Sequence, residues 1–403
     1  MTFNVTDLRS HFPSLATGVA HFDAPGGTQT PRAVGEAIAR TLTGPLSNLG
    51  GEGIRSEVNA EDAIAAFRAA YSDLLGVPED GIVYGRSATQ LNYDFSRTLA
   101  KKWQPGDEVV VSRLDHDANV RPWVQAAEAV GAEVRWIDFD PATAEVTWES
   151  VEAAIGPRTR LVAITAASNL LGTKPPVRAI ADAAHAVGAL VHVDAVHYAA
   201  HNLVDVPALG ADLLVCSPYK FLGPHCAVLT ASPQLLETLT PDKLVPSSDA
   251  VPERFEFGTL PFEILAGATA AVDFLAQIAP GDALSRRERL RASFHALEEH
   301  EMRLRKRLEE GLAGFGDAVV VHSRAADRTP TMFLTLRGRR TWDAYEFLAT
   351  KDVLAPAGSF YAYEAYHRLN LDDPDGLRLG LAPYVDDDDV SRFLAGLAAF
   401  LAS

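Results

Sequence analysis

The sequence predicts an α/β protein, and two observations carry that expectation. From about residue 80 to 230, short β-rich runs alternate with amphipathic helical stretches in a βαβα rhythm. Within it, LVAIT, LVHVD and LLVCS are nearly continuous in apolar residues, as strands buried on both faces of a mostly parallel sheet must be. A chain of 403 residues exceeds one simple core, so about two domains are expected.

In chain order, GIVYG precedes the helical stretch SATQLNYDFSRTLAKKW, EVVVSR precedes NVRPWVQAAEAVG, and TRLVAITAAS precedes PVRAIADAAHAVG. ALVHVDAV and DLLVCSPYK follow as further strands. The apolar run from Ile264 to Ala279 is broken by Asp273 and is shorter than the roughly 20 residues of a membrane helix, so it predicts a buried helix. Beyond it, RRERLRASFHALEEHEMRLRKRLEEGL predicts one long charged amphipathic helix, with Leu290, Phe294, Leu297, Met302 and Leu304 among its apolar positions. The short strand candidates AVVVH, TMFLTL and GLRLGL come next. In the closing helix, Val390, Phe393, Leu394, Leu397 and Leu401 form the apolar stripe. The aspartates before that stripe suit the positive end of the helix dipole, which makes them a cap rather than a metal site. The expected division is a large domain over 17–280 and a smaller α+β unit made of 1–16 and 281–403.

A balance of 36 basic against 53 acidic residues, net −17, opposes binding to a phosphate backbone, so no nucleic-acid partner is expected. Two cysteines, Cys216 and Cys226, are too few for a disulfide framework and fit a reducing cytoplasm. The first residues lack the uninterrupted apolar segment of a signal peptide, and no membrane association is expected.

In an open α/β sheet, ligands bind beyond the carboxyl ends of the strands. Three polar residues end apolar runs there: Asn169, Asp194 and Lys220. A buried aspartate or lysine is costly unless it meets a partner of opposite charge or a strong donor, so Asp194 and Lys220 either pair with each other or serve a ligand. Ser87, Ala88 and Thr89 open a helix directly after a strand, which offers free backbone N–H groups and hydroxyls to a phosphate, or simply an N-cap.

Over nearly its whole length the sequence resembles the class V branch of the pyridoxal-phosphate aminotransferases, the cysteine desulfurase-like group. The resembling segments are DAPGGTQTP (23–31), SATQLN (87–92), DHDANVRPW (115–123), SNLLGT (168–173), VDAVH (193–197), CSPYKFLGP (216–224), FEFGTL (255–260) and LRLGL (377–381). The resemblance implies fold type I, with a mostly parallel seven-stranded sheet in the large domain and a small α+β C-terminal domain. It implies pyridoxal 5'-phosphate as cofactor, with Lys220 forming the internal aldimine, Asp194 bonding the pyridine nitrogen and His116 stacking on the ring. Asn169 and His197 would lie near the phenolic oxygen. Ser87, Ala88, Thr89 and Ser217 would hold the phosphate, and Thr259 would reach the phosphate of a neighbouring subunit in a homodimer with composite sites. Arg378, with Asn169, would hold the carboxylate of a small amino-acid substrate.

The chemistry suits these residue types. A lysine amine forms a Schiff base with an aldehyde, and desolvation lowers its pKa toward reactivity. A carboxylate keeps the pyridine nitrogen protonated, so that the ring withdraws electrons. Arginine matches a carboxylate with two parallel hydrogen bonds.

The sequence also departs from the desulfurase pattern. In the loop LAPAGSFYAYEAY (354–366), Tyr361 falls where that group carries its thiol, and Pro356 falls where it carries an arginine. Asp117 replaces the second histidine of its HHAN pattern, His197 replaces a glutamine, and Tyr219 replaces a histidine. Cys216 and Cys226 flank the lysine segment in apolar company, as inert core residues do. These departures point first to a carbon–sulfur lyase working by β-elimination. An aminotransferase or epimerase is the alternative, and a non-catalytic cofactor-binding regulator is a third reading.

Overall fold

The continuous apolar runs form the centre of a seven-stranded sheet in the computed structural model, which describes residues 3–50, 53–279, 285–373 and 375–403. Its strands are β1 (Ile82–Gly85), β2 (Glu108–Ser112), β3 (Glu133–Ile137), β4 (Thr159–Thr165), β5 (Leu190–Asp194), β6 (Leu213–Cys216) and β7 (Ala227–Ala231). They lie in the order β1-β7-β6-β5-β4-β2-β3. Only β7 runs antiparallel to its neighbours, so the sheet is mostly parallel, as expected. Residues of β2 and β6 are buried throughout, because helices cover both faces.

Two strands were not anticipated. EVRWI of β3 alternates exposed and half-buried residues at the sheet edge and so lacks a continuous apolar run. AVLTA of β7 follows β6 across only a one-turn 3-10 helix, Pro218–Lys220, so no α-helix separates the two strands.

The helices flanking this sheet include α1 (Arg32–Thr43), α2 (Arg55–Leu75), α3 (Ala88–Ala100), α4 (Arg121–Val130), α5 (Val177–Ala186) and α6 (Phe262–Leu275). The turn from β1 into α3 requires glycine, since a Cβ on Gly85 would lie 2.3 Å from the Leu91 side chain. Ser87 then caps α3, its hydroxyl accepting from the Gln90 N–H at 3.1 Å, a contact worth about 1 kcal/mol. The apolar run after residue 261 forms the buried-faced α6, and among the described residues no helix is long and apolar enough to cross a membrane.

A long helix, α7 (Arg286–Ala313), leads to a second sheet of β8 (Val319–Val321), β9 (Met332–Leu336), β10 (Ala357–Gly358) and β11 (Gly376–Leu379), ordered β8-β9-β11-β10. The buried stripe of α7 runs through Leu290, Phe294, Leu297, Glu301, Leu304, Leu308 and Leu312. Met302 is half-buried and lies off that stripe, contrary to expectation, because the steps of three and four residues pass through Glu301 instead. The closing helix, α8 (Asp387–Ala402), has Asp386 as its N-cap, in a capping box with Asp389. The acidic run is therefore a cap, and the described residues contain no cluster of metal-ligand type. Near the N-terminus, Arg9 donates to the Tyr384 carbonyl at 2.6 Å and to Asp389 at 2.7 Å, which fastens the first helical turn to this end of the chain. The expected domain boundary at 280/281 lies outside the described residues. The folded surface of 16524 Å² is close to the roughly 15,000 Å² that the chain mass implies.

Candidate active site

The carboxyl ends of β1, β4, β5 and β6, the segment after β2, and β11 of the second sheet meet around one cavity of about 660 Å³, a size that holds a cofactor and a small substrate. Ten of the eleven anticipated site residues line it: Ser87, Ala88, Thr89, His116, Asn169, Asp194, His197, Ser217, Lys220 and Arg378. Thr259 does not. It is exposed on the segment after residue 255, away from the cavity of its own chain.

Lys220 and Asp194 do not pair. The Lys220 ammonium donates to the Pro25 carbonyl, whereas Asp194 Oδ1 accepts from the Val196 N–H at 2.8 Å. Burial is the main cause that lowers the Lys220 pKa to about 7, and the nearby Arg378 charge adds to it against the opposing pull of Asp194. Burial likewise raises Asp194 to about 6, against the opposing Val196 N–H and Lys220 charge, so the carboxyl is mostly ionised at neutral pH.

His116 follows β2. Its Nδ1 accepts from the Ala118 N–H at 3.0 Å, which orients the ring over the cavity, and burial lowers its pKa to about 4. The imidazole is thus neutral at physiological pH. It suits an apolar face-to-face contact more than an ion pair.

Arg378, on β11, is buried rather than surface-facing. It donates to the Asn169 carbonyl at 3.1 Å, its guanidinium lies 3.8 Å from the centre of the Phe360 ring, and its Nε has no partner among the described residues. Burial lowers its pKa to about 9, with Asp23 opposing. A buried guanidinium with no carboxylate bonded to it is a receptor for an anion.

Sequence reasoning located Tyr361 by alignment but missed what its loop does. Phe360 and Tyr361 are consecutive non-glycine residues in the left-handed region, at φ 56° and 57°. Their carbonyls are held from the opposite side of the cavity: the Asn169 side-chain amide donates to Phe360 O at 2.9 Å, and the Asp117 N–H donates to Tyr361 O at 2.7 Å. The Tyr361 ring stacks on His116 at 5.6 Å between centroids. Glu364 reinforces the join through Arg113 at 3.0 Å and Arg121, and Arg121 also meets Asp117 at 2.8 Å. The charge alternation among Arg113, Asp117, Arg121 and Glu364 was the available sequence signal.

These residues fit pyridoxal 5'-phosphate. Ser87 and the first turn of α3 offer N–H donors to a phosphate at one end, with Ser217 beside them on the cavity wall. Asp194 ends β5 and Lys220 lies on the turn after the neighbouring β6, and Asn169 Oδ1 is buried with no partner among the described residues.

A family model described as Aminotransferase class-V matches residues 20–393. The chain is 30% identical to an uncharacterized protein, MT3887, of Mycobacterium tuberculosis, over 99% of this chain and 100% of that one. It is also 30% identical to a probable cysteine desulfurase of Pseudomonas aeruginosa, over 96% of each. Among solved structures, the cysteine desulfurase CsdA (S-sulfonic acid) of Escherichia coli superposes with a TM-score of 0.88 at 25% identity, covering 100% of this chain and 99% of that one.

Proposed function

The chain belongs to the aminotransferase class-V family of pyridoxal-phosphate enzymes, and from that membership we propose that it is a carbon–sulfur lyase acting on a small α-amino acid by β-elimination. The fold is that of the cysteine desulfurases. The observation that carries the finer reading is the makeup of the cavity wall. The two cysteines of the chain, Cys216 and Cys226, are buried in the large sheet and its flank, and neither lines the cavity; Phe360 and Tyr361 occupy the loop that faces Lys220. Burial raises both thiols well above their ordinary range, which disfavours a thiolate.

When bound, pyridoxal phosphate supplies an electron-withdrawing ring that stabilises negative charge at the substrate Cα. Asp194 would hold the ring nitrogen, and Ser87, Ala88, Thr89 and Ser217, which line the same cavity, would hold the phosphate. Arg378 clamps the substrate carboxylate with its paired donors. The Lys220 amine, half neutral near pH 7, takes the α-proton. The pair left on Cα would form the Cα=Cβ bond as the Cβ–S bond breaks, the bond's own pair leaving with sulfur as a thiolate, and the released enamine would tautomerise to an imine that water hydrolyses to pyruvate and ammonia. His116 and the Phe360–Tyr361 wall limit the water around Lys220.

The same reading includes a homodimer in which Thr259 reaches the partner's phosphate. It is supported by exposed Thr259 and by the large apolar side chains of Leu42, Leu49, Ile54, Leu244, Val245 and Phe257, which stand open to solvent on the same chain.

The deciding experiment incubates the holoenzyme with cysteine, cystine, a thioether amino acid and non-sulfur amino acids, and identifies every product. Pyruvate, ammonia and free sulfide or thiol in equal amounts are expected. Alanine with a protein persulfide overturns the lyase reading in favour of desulfuration, a keto acid of unchanged skeleton in favour of transamination, and an inverted substrate in favour of epimerisation.

A further inference from the structure

A buried ionisable pair that the proposed reaction leaves unused joins His201, on the turn after β5, to Glu301 on α7. His201 Nδ1 lies 2.8 Å from Glu301 Oε2, and the two side chains are 4% and 0% exposed. Glu301 Oε1 has no hydrogen-bond partner among the described residues. A carboxylate in the apolar stripe of a helix, where leucines occupy the neighbouring positions, costs stability unless something in its reach uses it.

What lies within reach is the active site. The His201 ring meets the ring of His197 edge-on, with centroids 5.0 Å apart and planes at 73°. His197 Nε2 in turn meets the hydroxyls of Thr329 and Thr331, each at 3.0 Å. The His197 ring lines the cavity, and Nδ1 has no protein partner among the described residues. Two contacts therefore run from Glu301 on α7 through His201 to His197 on the cavity wall.

We propose that Glu301 and His201 are positioning residues: the buried Glu301 carboxylate holds the His201 ring against His197 and so fixes the His197 ring, with Nε2 on the two threonine hydroxyls and Nδ1 presented to the cavity. His201 is placed against His197, and Glu301 lies behind it. The other charges facing His197 are Lys220, from the turn after β6, and Arg378, from β11; Asp194 ends the strand that leads into it. Burial first, then the charges of His201, Arg378 and Lys220, holds His197 well below its ordinary pKa, so the ring is neutral. On the far side, Glu301 also faces Tyr384.

The inference rests on the cofactor occupying this cavity and not on which reaction follows. Its test uses no substrate. Glu301→Gln keeps the shape of the pair and removes its charge, and the pH at which the visible absorption band of the bound cofactor changes is then compared with that of the unsubstituted holoenzyme. With the His197 ring no longer held in place, the midpoint is expected to move by about one pH unit. His201→Gln should move it in the same direction, and in a His197→Gln background the Glu301→Gln shift should vanish. A purely structural role would lower cofactor occupancy or melting temperature and leave the midpoint in place, which would overturn the inference. If both variants fail to fold, nitrogen NMR of the unsubstituted cofactor-free protein decides: a single, fixed tautomer of the His197 ring is expected, and a mixture of tautomers overturns it. An unsubstituted protein that develops no visible band with pyridoxal phosphate overturns the placement of the cofactor itself, a failure distinct from an unmoved midpoint.

Discussion

The side-chain amide of Asn169 donates to the backbone carbonyl of Phe360 at 2.9 Å, so the end of the large sheet's β4 and the aromatic loop of the second sheet are held in one unit. That bond uses one of the two Asn169 amide hydrogens and leaves its Oδ1 unpartnered and buried. Asn169 can therefore accept from a ligand and keeps one amide hydrogen to donate, while the paired donors that match a carboxylate belong to Arg378. Arg378→Lys keeps the charge and loses the paired donors, and it should raise KM for the amino acid by about 10-fold or more, with a smaller change in kcat. Equal KM values in steady-state assays would remove Arg378 from carboxylate binding.

Lys220 should be the attachment point of the cofactor. Borohydride treatment of the holoenzyme should fix the cofactor to the peptide containing Lys220, and Lys220→Ala should give no such adduct by mass spectrometry. Because its folded pKa is lowered to about 7 from an ordinary 10.5, the amine is largely neutral above pH 7. Cofactor capture by the cofactor-free protein should accelerate as pH rises through about 7, not through the alkaline range of a free lysine. An inflection above pH 9 would show that burial does not act on this amine as stated.

Asp194 stabilises charge that develops during reaction, so its substitution should weigh on rate more than on binding. Asp194→Asn should keep the visible cofactor band and lower kcat by about 100-fold or more. A rate within a few fold of the parent would show that the carboxylate is dispensable.

Replacing Cys216 and Cys226 together by Ala should leave turnover nearly intact, because neither sulfur reaches the cavity. The cost should fall on stability, about 1–3 kcal/mol by denaturant unfolding, since both side chains are buried. Loss of turnover in a variant that still folds and binds cofactor would restore a thiol to the mechanism.

Light scattering should give twice the chain mass at assay concentration. Thr259→Ala should weaken cofactor retention during dialysis without changing that mass. A fully active monomer would show that the site is complete within one chain.

Much of the site was legible because the chemistry sits where apolar strands stop. Asp194 closes LVHV and Ser217 closes LLVC, so burial and polarity change within one residue. The edge strand β3 was not legible, since EVRWI is not continuous in apolar residues and its alternation lasts only four residues. Nor was the backbone at Phe360 and Tyr361, because left-handed geometry is a property of glycine in sequence reasoning and the cavity contacts impose it here. Glu301 was hidden among the many charges of α7, yet its spacing gave it away: it stands four residues after Leu297 and three before Leu304, in the stripe reserved for apolar side chains.

Arg378, backed by the Phe360 ring and lacking a bonded carboxylate, makes the choice of buffer a kinetic variable. Any small carboxylate in solution competes for the same guanidinium, so acetate, formate or citrate should act as competitive inhibitors, whereas a zwitterionic sulfonate too bulky to enter should not. Affinities for substrate measured in different buffers will disagree unless the buffer anion is held constant.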